Sequence, residues 1–154
     1  MTEYETDVVS WSEHQSGLLR QHAAALRAND PAIDWPNIIE EIESVSRSER
    51  LALSTHIRIN LEHLAKLEAS PAVEPRNGWR QTVLRARAAP DEVLEESPSL
   101  RPGLDAVIKR EMRRVRPLVA EALGQYGEAP RVKLEQVEYS KEHVLGPWFP
   151  DDGN

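Results

Sequence analysis

The chain of 154 residues contains no cysteine. That absence removes disulfide frameworks, Cys-ligated zinc, iron–sulfur clusters and thiol nucleophiles together. Glycine is scarce, with seven residues set mostly in caps and turns, too few and too scattered for a Gly-rich phosphate cradle. Neither a P-loop nor a Gly-x-Ser-x-Gly nucleophile motif is present. No uncharged apolar run approaches the ~18 residues of a membrane span. Residues Met1 to Val9 are acidic, through Glu3, Glu5 and Asp7, where a secretion leader needs a basic and then an apolar region. The expectation is a soluble, cytoplasmic protein with no membrane partner. At about 100 to 200 residues per domain, the length predicts a single domain over 1–154. Such a domain buries roughly 70% of its unfolded surface, enough for one apolar core.

What is present is helical periodicity, and strand-like alternation is hard to find. From Asp7 to Ala28 the apolar residues Val8, Trp11, Leu18, Leu19, Ala25 and Leu26 fall on one side of a helix, ended by Asn29-Asp30-Pro31. Asp34 is a good N-cap, with Pro36 in the first turn of the next helix, whose stripe is Trp35, Ile38, Ile39, Ile42 and Val45. Five polar residues from Ser46 to Arg50 interrupt it, and Ser46-Arg47-Ser48-Glu49 has the form of a capping box. A new helix or a sharp kink is therefore predicted near Ser46, followed by the stripe Leu53, Ile57, Leu61, Leu64 and Leu67. After the linker Pro71 to Pro75, a helix over Gly78–Ala89 is expected, ended or bent by Pro90 and extended by a turn or two to Glu96. The longest stripe runs from Leu100 through Leu104, Ile108, Met112, Val115 and Val119 to Leu123. Gly124 and Gly127 close it, and Pro117 is expected to kink it. The segment from Pro130 onward holds Leu134, Val137, Tyr139, Val144 and Trp148, too apolar to be simply disordered. Helical faces of this kind can be satisfied only against one another. The prediction is an all-α bundle of four to five amphipathic helices, with its core at about 7–124 and an irregular C-terminal strap at about 130–150. The four tryptophans read most simply as core anchors.

Metal chemistry finds little support in the spacings. No Glu-x-x-His motif of the di-iron type occurs. Successive histidines stand 8, 34, 7 and 80 residues apart, never the four that lets one helix chelate zinc. His56 and His63 share a face, but about 10.5 Å of helical rise separates them, too far for ligands held at about 2.1 Å. No metal, cofactor or catalytic residue is therefore expected. A site assembled from several helices stays open. His22 falls within the first stripe, Asn60 within that of residues 53–67 with His56 and His63 along its edge, and Glu111 within the longest one. Polar groups on core faces need partners. They form either a structural network, such as Glu111 paired with an arginine or histidine of a neighbouring helix, or a polar pocket for a small molecule or metal. The carboxylates Glu40, Glu41, Glu43, Glu95 and Glu96 read as solvated faces.

Charge is segregated, with net −7 over residues 1–75, +4 over 76–116 and −4 over 117–154. Within the basic middle, Arg110, Arg113 and Arg114 stand at i, i+3 and i+4 and project from one side. No aromatic residue is interleaved with them, so a stacking platform for nucleic acid is not indicated, and overall acidity opposes nonspecific binding to it. An acidic protein surface or a neighbouring subunit suits these arginines better.

Several segments resemble, in order and over nearly the whole chain, the bacterial "domain of unknown function twenty-nine" family. They are Tyr4-Glu5-Thr6-Asp7 leading to Trp11, Glu40-Glu41-Ile42-Glu43-Ser44 with Arg47-Ser48-Glu49-Arg50, Gly78-Trp79-Arg80, Glu95-Glu96-Ser97-Pro98-Ser99-Leu100-Arg101-Pro102, Tyr139-Ser140-Lys141-Glu142-His143-Val144-Leu145 and Trp148-Phe149-Pro150. The resemblance implies a helical single-domain protein of cyanobacteria or proteobacteria. It implies no activity and supplies no functional residues. Ser46 and Pro117 depart from its pattern. Two functions are thus weighed. The first is a protein-interaction or self-associating module with Arg110, Arg113 and Arg114 as its anion or partner face. The alternative is a small-molecule or metal-binding bundle, possibly enzymatic, using His22, His56, Asn60, His63 and Glu111.

Overall fold

The computed structural model describes residues 1–150, and among them every regular element is helical. The α-helices are α1 (Glu3–Thr6), α2 (Val8–Gln21), α3 (Ala23–Asn29), α4 (Trp35–Ala69), α5 (Arg76–Ala86), α6 (Ala88–Glu96), α7 (Leu104–Gln125) and α8 (Lys141–Leu145), with 3-10 turns at Pro98–Gly103 and Leu134–Gln136. Two compact units result, one of residues 1–52 and 93–101, the other of residues 53–92 and those from 102 onward.

In the first unit the Asp7 carboxylate caps α2 by accepting from the Ser10 amide at 2.8 Å. The same carboxylate accepts from the Ser99 amide and hydroxyl at 2.6 and 2.9 Å. Burial alone would raise its pKa, but these hydrogen bonds outweigh it and hold the Asp7 carboxyl below its ordinary value. Serines Ser12 and Ser16 of α2 and Ser46 of α4 are buried. Ion pairs run from α2 to α4 along the rims, Arg20 to Glu43 and Arg50 to Glu13. These pairs are half exposed and contribute little each.

The new helix expected at Ser46 does not form, and other breaks fall elsewhere than expected. Helix α4 is continuous for 35 residues, because the Ser46 hydroxyl donates back to the Glu43 carbonyl at 3.2 Å instead of capping a new turn. A serine bonded to a carbonyl of the preceding turn stays helical. The polar run is then explained by position, with Ser46 buried and Arg47 and Arg50 engaging carboxylates at the edges. The first predicted helix, in contrast, is divided at His22, the C-cap of α2. The second unit shows a similar displacement, since the break lies at Arg87, ahead of Pro90. Pro90 therefore sits in the first turn of α6, where a missing N–H costs nothing. Helix α7 is helical through Pro117.

The second unit has the larger core. Leu53, Ile57, Leu61, Leu64 and Leu67 of α4, Val83 of α5, and Ile108, Met112, Val115, Val119 and Leu123 of α7 are all buried. Helix α7 ends at Gln125, and just past its C-cap Tyr126 stands Gly127, whose φ of 66° is the left-handed conformation glycine adopts without strain. The strap contributes Leu134, Val137, Tyr139 and Val144 to buried positions. Its irregular backbone exposes carbonyls with no ladder partners, and arginines supply the donors. Arg116 donates to the carbonyls of Leu134 and Val137 at 3.1 and 2.8 Å. Arg131 reaches the Leu67 carbonyl at 3.0 Å, at the end of α4. Arg87, itself buried, donates to the carbonyls of Val144, His143 and Trp148 and stacks with Arg80 on Phe149. None of the four tryptophans is buried in the core, and Trp148 is exposed. The reading of tryptophans as core anchors is corrected accordingly. Leucine and isoleucine fill the stripes, and the tryptophans stay partly exposed, with the Trp35 indole donating to the Asp30 carbonyl at 3.2 Å.

Candidate functional site

Glu111 occupies an apolar position of α7, between Ile108 and Val115, so helical geometry forces its carboxylate inward. Its side chain is 0% exposed. On α4, Ser54 and Arg58 stand four residues apart and share one face. Arg58 Nε donates to Glu111 Oε2 at 2.7 Å. From α7 itself, Arg114 Nη1 donates to Oε1 at 3.2 Å and Arg110 Nε to the same oxygen at 3.4 Å. Arg110 also donates through Nη2 to the Ser54 hydroxyl at 2.7 Å. Burial acts to raise the Glu111 pKa. The hydrogen bond and charge of Arg58, with Arg110 and Arg114 beside it, prevail and leave the carboxyl below its ordinary value.

The arrangement is unbalanced in charge. Three guanidiniums surround one carboxylate, so the cluster carries a net charge of +2 at neutral pH. Each guanidinium has five N–H donors in a planar fork, and the four hydrogen bonds just described use only a few of them. The arginines are also accessible, with Arg58, Arg110 and Arg114 side chains 32%, 46% and 57% exposed. A buried anion thus holds three half-exposed cations in fixed positions, with free donors toward solvent. Forks of this kind match carboxylate and phosphate oxygens bidentately.

The sequence-derived candidates distribute as follows. Glu111, Arg110 and Arg114 come together in this cluster. Arg113, exposed, lines a groove on another flank of α7. His22 is exposed in the first unit. His63 is half-buried, its Nδ1 at 2.8 Å from the Ile59 carbonyl of its own helix. Asn60 is buried and donates to the Ala86 carbonyl at 3.4 Å, while its Oδ1 has no partner. His56 is half-buried. Glu111 is therefore partnered by arginines and not by these histidines. Among the described residues, no group of three or more His, Asp and Glu side chains is placed to hold a metal ion. Arg58 and Ser54 were missed by sequence reasoning. Each stands one residue after a stripe position, Ile57 and Leu53, and a buried acid on a facing helix is the signal that calls for a cation there.

Comparison with known proteins adds the family. Residues 3–149 match the family described as "Domain of unknown function DUF29". The chain belongs to the DUF29 family. Among solved structures, an alpha-helical protein of unknown function from Rhodospirillum rubrum ATCC 11170 is similar, with 24% identity and a TM-score of 0.76 over 97% of this chain and 93% of that one. This likeness shows the fold. No curated protein matches. No helix among the described residues is long and apolar enough to cross a membrane. What the arginine cluster of this DUF29 chain does has to follow from its own geometry.

Proposed function

We propose that this DUF29 chain is a cytoplasmic protein-interaction module whose docking surface is the arginine triplet Arg58, Arg110 and Arg114, and that its partner presents an acidic segment. The observation that carries the reading is the 3:1 ratio of guanidinium to carboxylate around buried Glu111. A purely structural ion pair needs one arginine. Here two extra positive charges are held rigidly at a half-exposed surface, so little side-chain freedom remains to be lost when a partner carboxylate docks. The net charge of +4 over residues 76–116, within a chain of net −7, makes this region the attractive one for anions.

Fluorescence anisotropy with a labelled Glu-rich peptide tests the proposal. Binding should weaken as salt rises from low to physiological ionic strength. The double substitution Arg110→Gln with Arg114→Gln should raise Kd by at least about tenfold, the equivalent of about 1.4 kcal/mol, while circular dichroism stays helical. Undetectable binding at low salt, or an unchanged Kd in the double variant, contradicts the proposal.

A further inference from the structure

A groove of about 620 Å³ lies between α7 and the strap, within the range of about 300 to 1,000 Å³ typical of small-ligand sites. Its floor is apolar, with Ile108 and Met112 buried beneath it and the Tyr139 ring at one wall. The Tyr139 hydroxyl is engaged elsewhere, donating to Glu68 at 2.5 Å. Burial and the adjacent Glu68 carboxylate push that phenol far above its ordinary pKa, so the wall is a neutral ring.

Above this floor stand three cations, Lys109, Arg113 and Arg116. Arg116 is anchored to two carbonyls, which fix its position without neutralising its charge. Two carboxylates also line the groove, Asp105 and Glu138, and neither forms an ion pair within 4.0 Å with any of the three. The lining therefore sets three cations against two carboxylates, a net charge of +1, over an apolar floor in one concavity. A low-dielectric wall strengthens the field of such cations on an incoming anion.

We infer that this groove binds a small amphiphilic anion, with an oxyanion head between Lys109 and Arg113 and a short hydrocarbon or aryl body along Ile108, Met112 and Tyr139. Lys109 and Arg113 form no hydrogen bond or ion pair with Glu111, whose partners are Arg58, Arg110 and Arg114, so this site and the arginine triplet are tested independently.

The probe is 8-anilinonaphthalene-1-sulfonate, an aryl sulfonate whose fluorescence reports burial, titrated into the full chain and then displaced by competitors. A single saturable site is expected, displaced by octanoate or octyl phosphate. Whichever displaces at lower concentration identifies the head as carboxylate or phosphate. Inorganic phosphate and octanol should each displace poorly, because each lacks one half of the recognised chemistry. The double substitution Lys109→Gln with Arg113→Gln should raise Kd at least tenfold. Ala106→Glu, at an exposed lining position, should do the same by placing a carboxylate at the rim, and neither change should alter the melting temperature. Absence of saturable binding, displacement by octanol or inorganic phosphate as effective as that by octyl phosphate, or unchanged affinity in both variants overturns the inference.

Discussion

Replacing Arg58 with methionine removes the 2.7 Å donor from Glu111 Oε2 and leaves Oε1 with Arg114 and Arg110 at 3.2 and 3.4 Å. The Glu111 side chain is 0% exposed, so no solvent reaches the abandoned oxygen directly. Breaking a buried pair in this way costs about 3 to 5 kcal/mol, and because Arg58 is itself 32% exposed, the lower end of about 3 kcal/mol applies. For a chain of this length that corresponds to a fall in Tm of about 6 to 12 °C. Removing the acid should be milder. Glu111→Gln leaves three guanidiniums that already touch water, and the cost should be about 1 to 2 kcal/mol. The double variant Arg58→Met with Glu111→Gln removes both the buried charge and its nearest partner, and should be more stable than Arg58→Met alone. Urea denaturation of the four proteins, with m unchanged, supplies the cycle. An Arg58→Met cost below about 1 kcal/mol, or strictly additive effects, would refute the idea that Glu111 depends on these cations.

Acid provides an independent check on the same carboxylate. Glu111 has its pKa lowered in the folded state from 4.5, so the folded state binds its proton less tightly than the unfolded chain. Its contribution is complete above about pH 4.5 and is lost as pH falls through the depressed value. The stability gap between wild type and Glu111→Gln should therefore narrow below about pH 4.5, as measured by urea midpoints, and a gap constant to lower pH contradicts it. Arg87→Met should release the strap, since the carbonyls of His143, Val144 and Trp148 lose their donors. Unsatisfied buried acceptors cost about 1 to 3 kcal/mol each, and amide exchange across residues 141–149 should accelerate. Lysine should not rescue it, lacking the planar fork, and unchanged exchange in the methionine variant counts against the clasp. Ser46→Ala should change stability by less than about 0.5 kcal/mol, because alanine suits a continuous helix. A loss of about 1 kcal/mol is the mark of a true N-cap.

The long stripes were legible because they are redundant. Leu53, Ile57, Leu61, Leu64 and Leu67 recur at intervals of three or four residues, and all five are buried. Single-residue signals fared worse. Ser46 offers the same hydroxyl to a new turn or to the preceding one, and only the burial of its helix face decides between them. Pro90 marks a boundary in either direction, and the structure uses it to begin a helix. The arginines were the least readable. Fifteen of the 19 cationic residues are arginine, and sequence spacing gave Arg110, Arg113 and Arg114 one common side. Arg110 and Arg114 instead turn to Glu111, Arg113 faces the groove, and Arg87, Arg116 and Arg131 bind backbone carbonyls. These roles depend on where an irregular strap lies, which no helical period encodes. The inward position of Glu111 was visible in the sequence, whereas its cations Arg58 and Ser54-bound Arg110 emerge only once α4 is placed beside α7 in the second unit.

The most direct measurement follows the arginine Nε–Hε signals by nuclear magnetic resonance as an acidic peptide is added. If these three arginines form one docking surface, the signals of Arg58, Arg110 and Arg114 shift together along one saturating curve, while that of Arg87, buried beneath the strap, stays in place. Shifts confined to other arginines, or none at peptide concentrations that saturate the anisotropy signal, would contradict it.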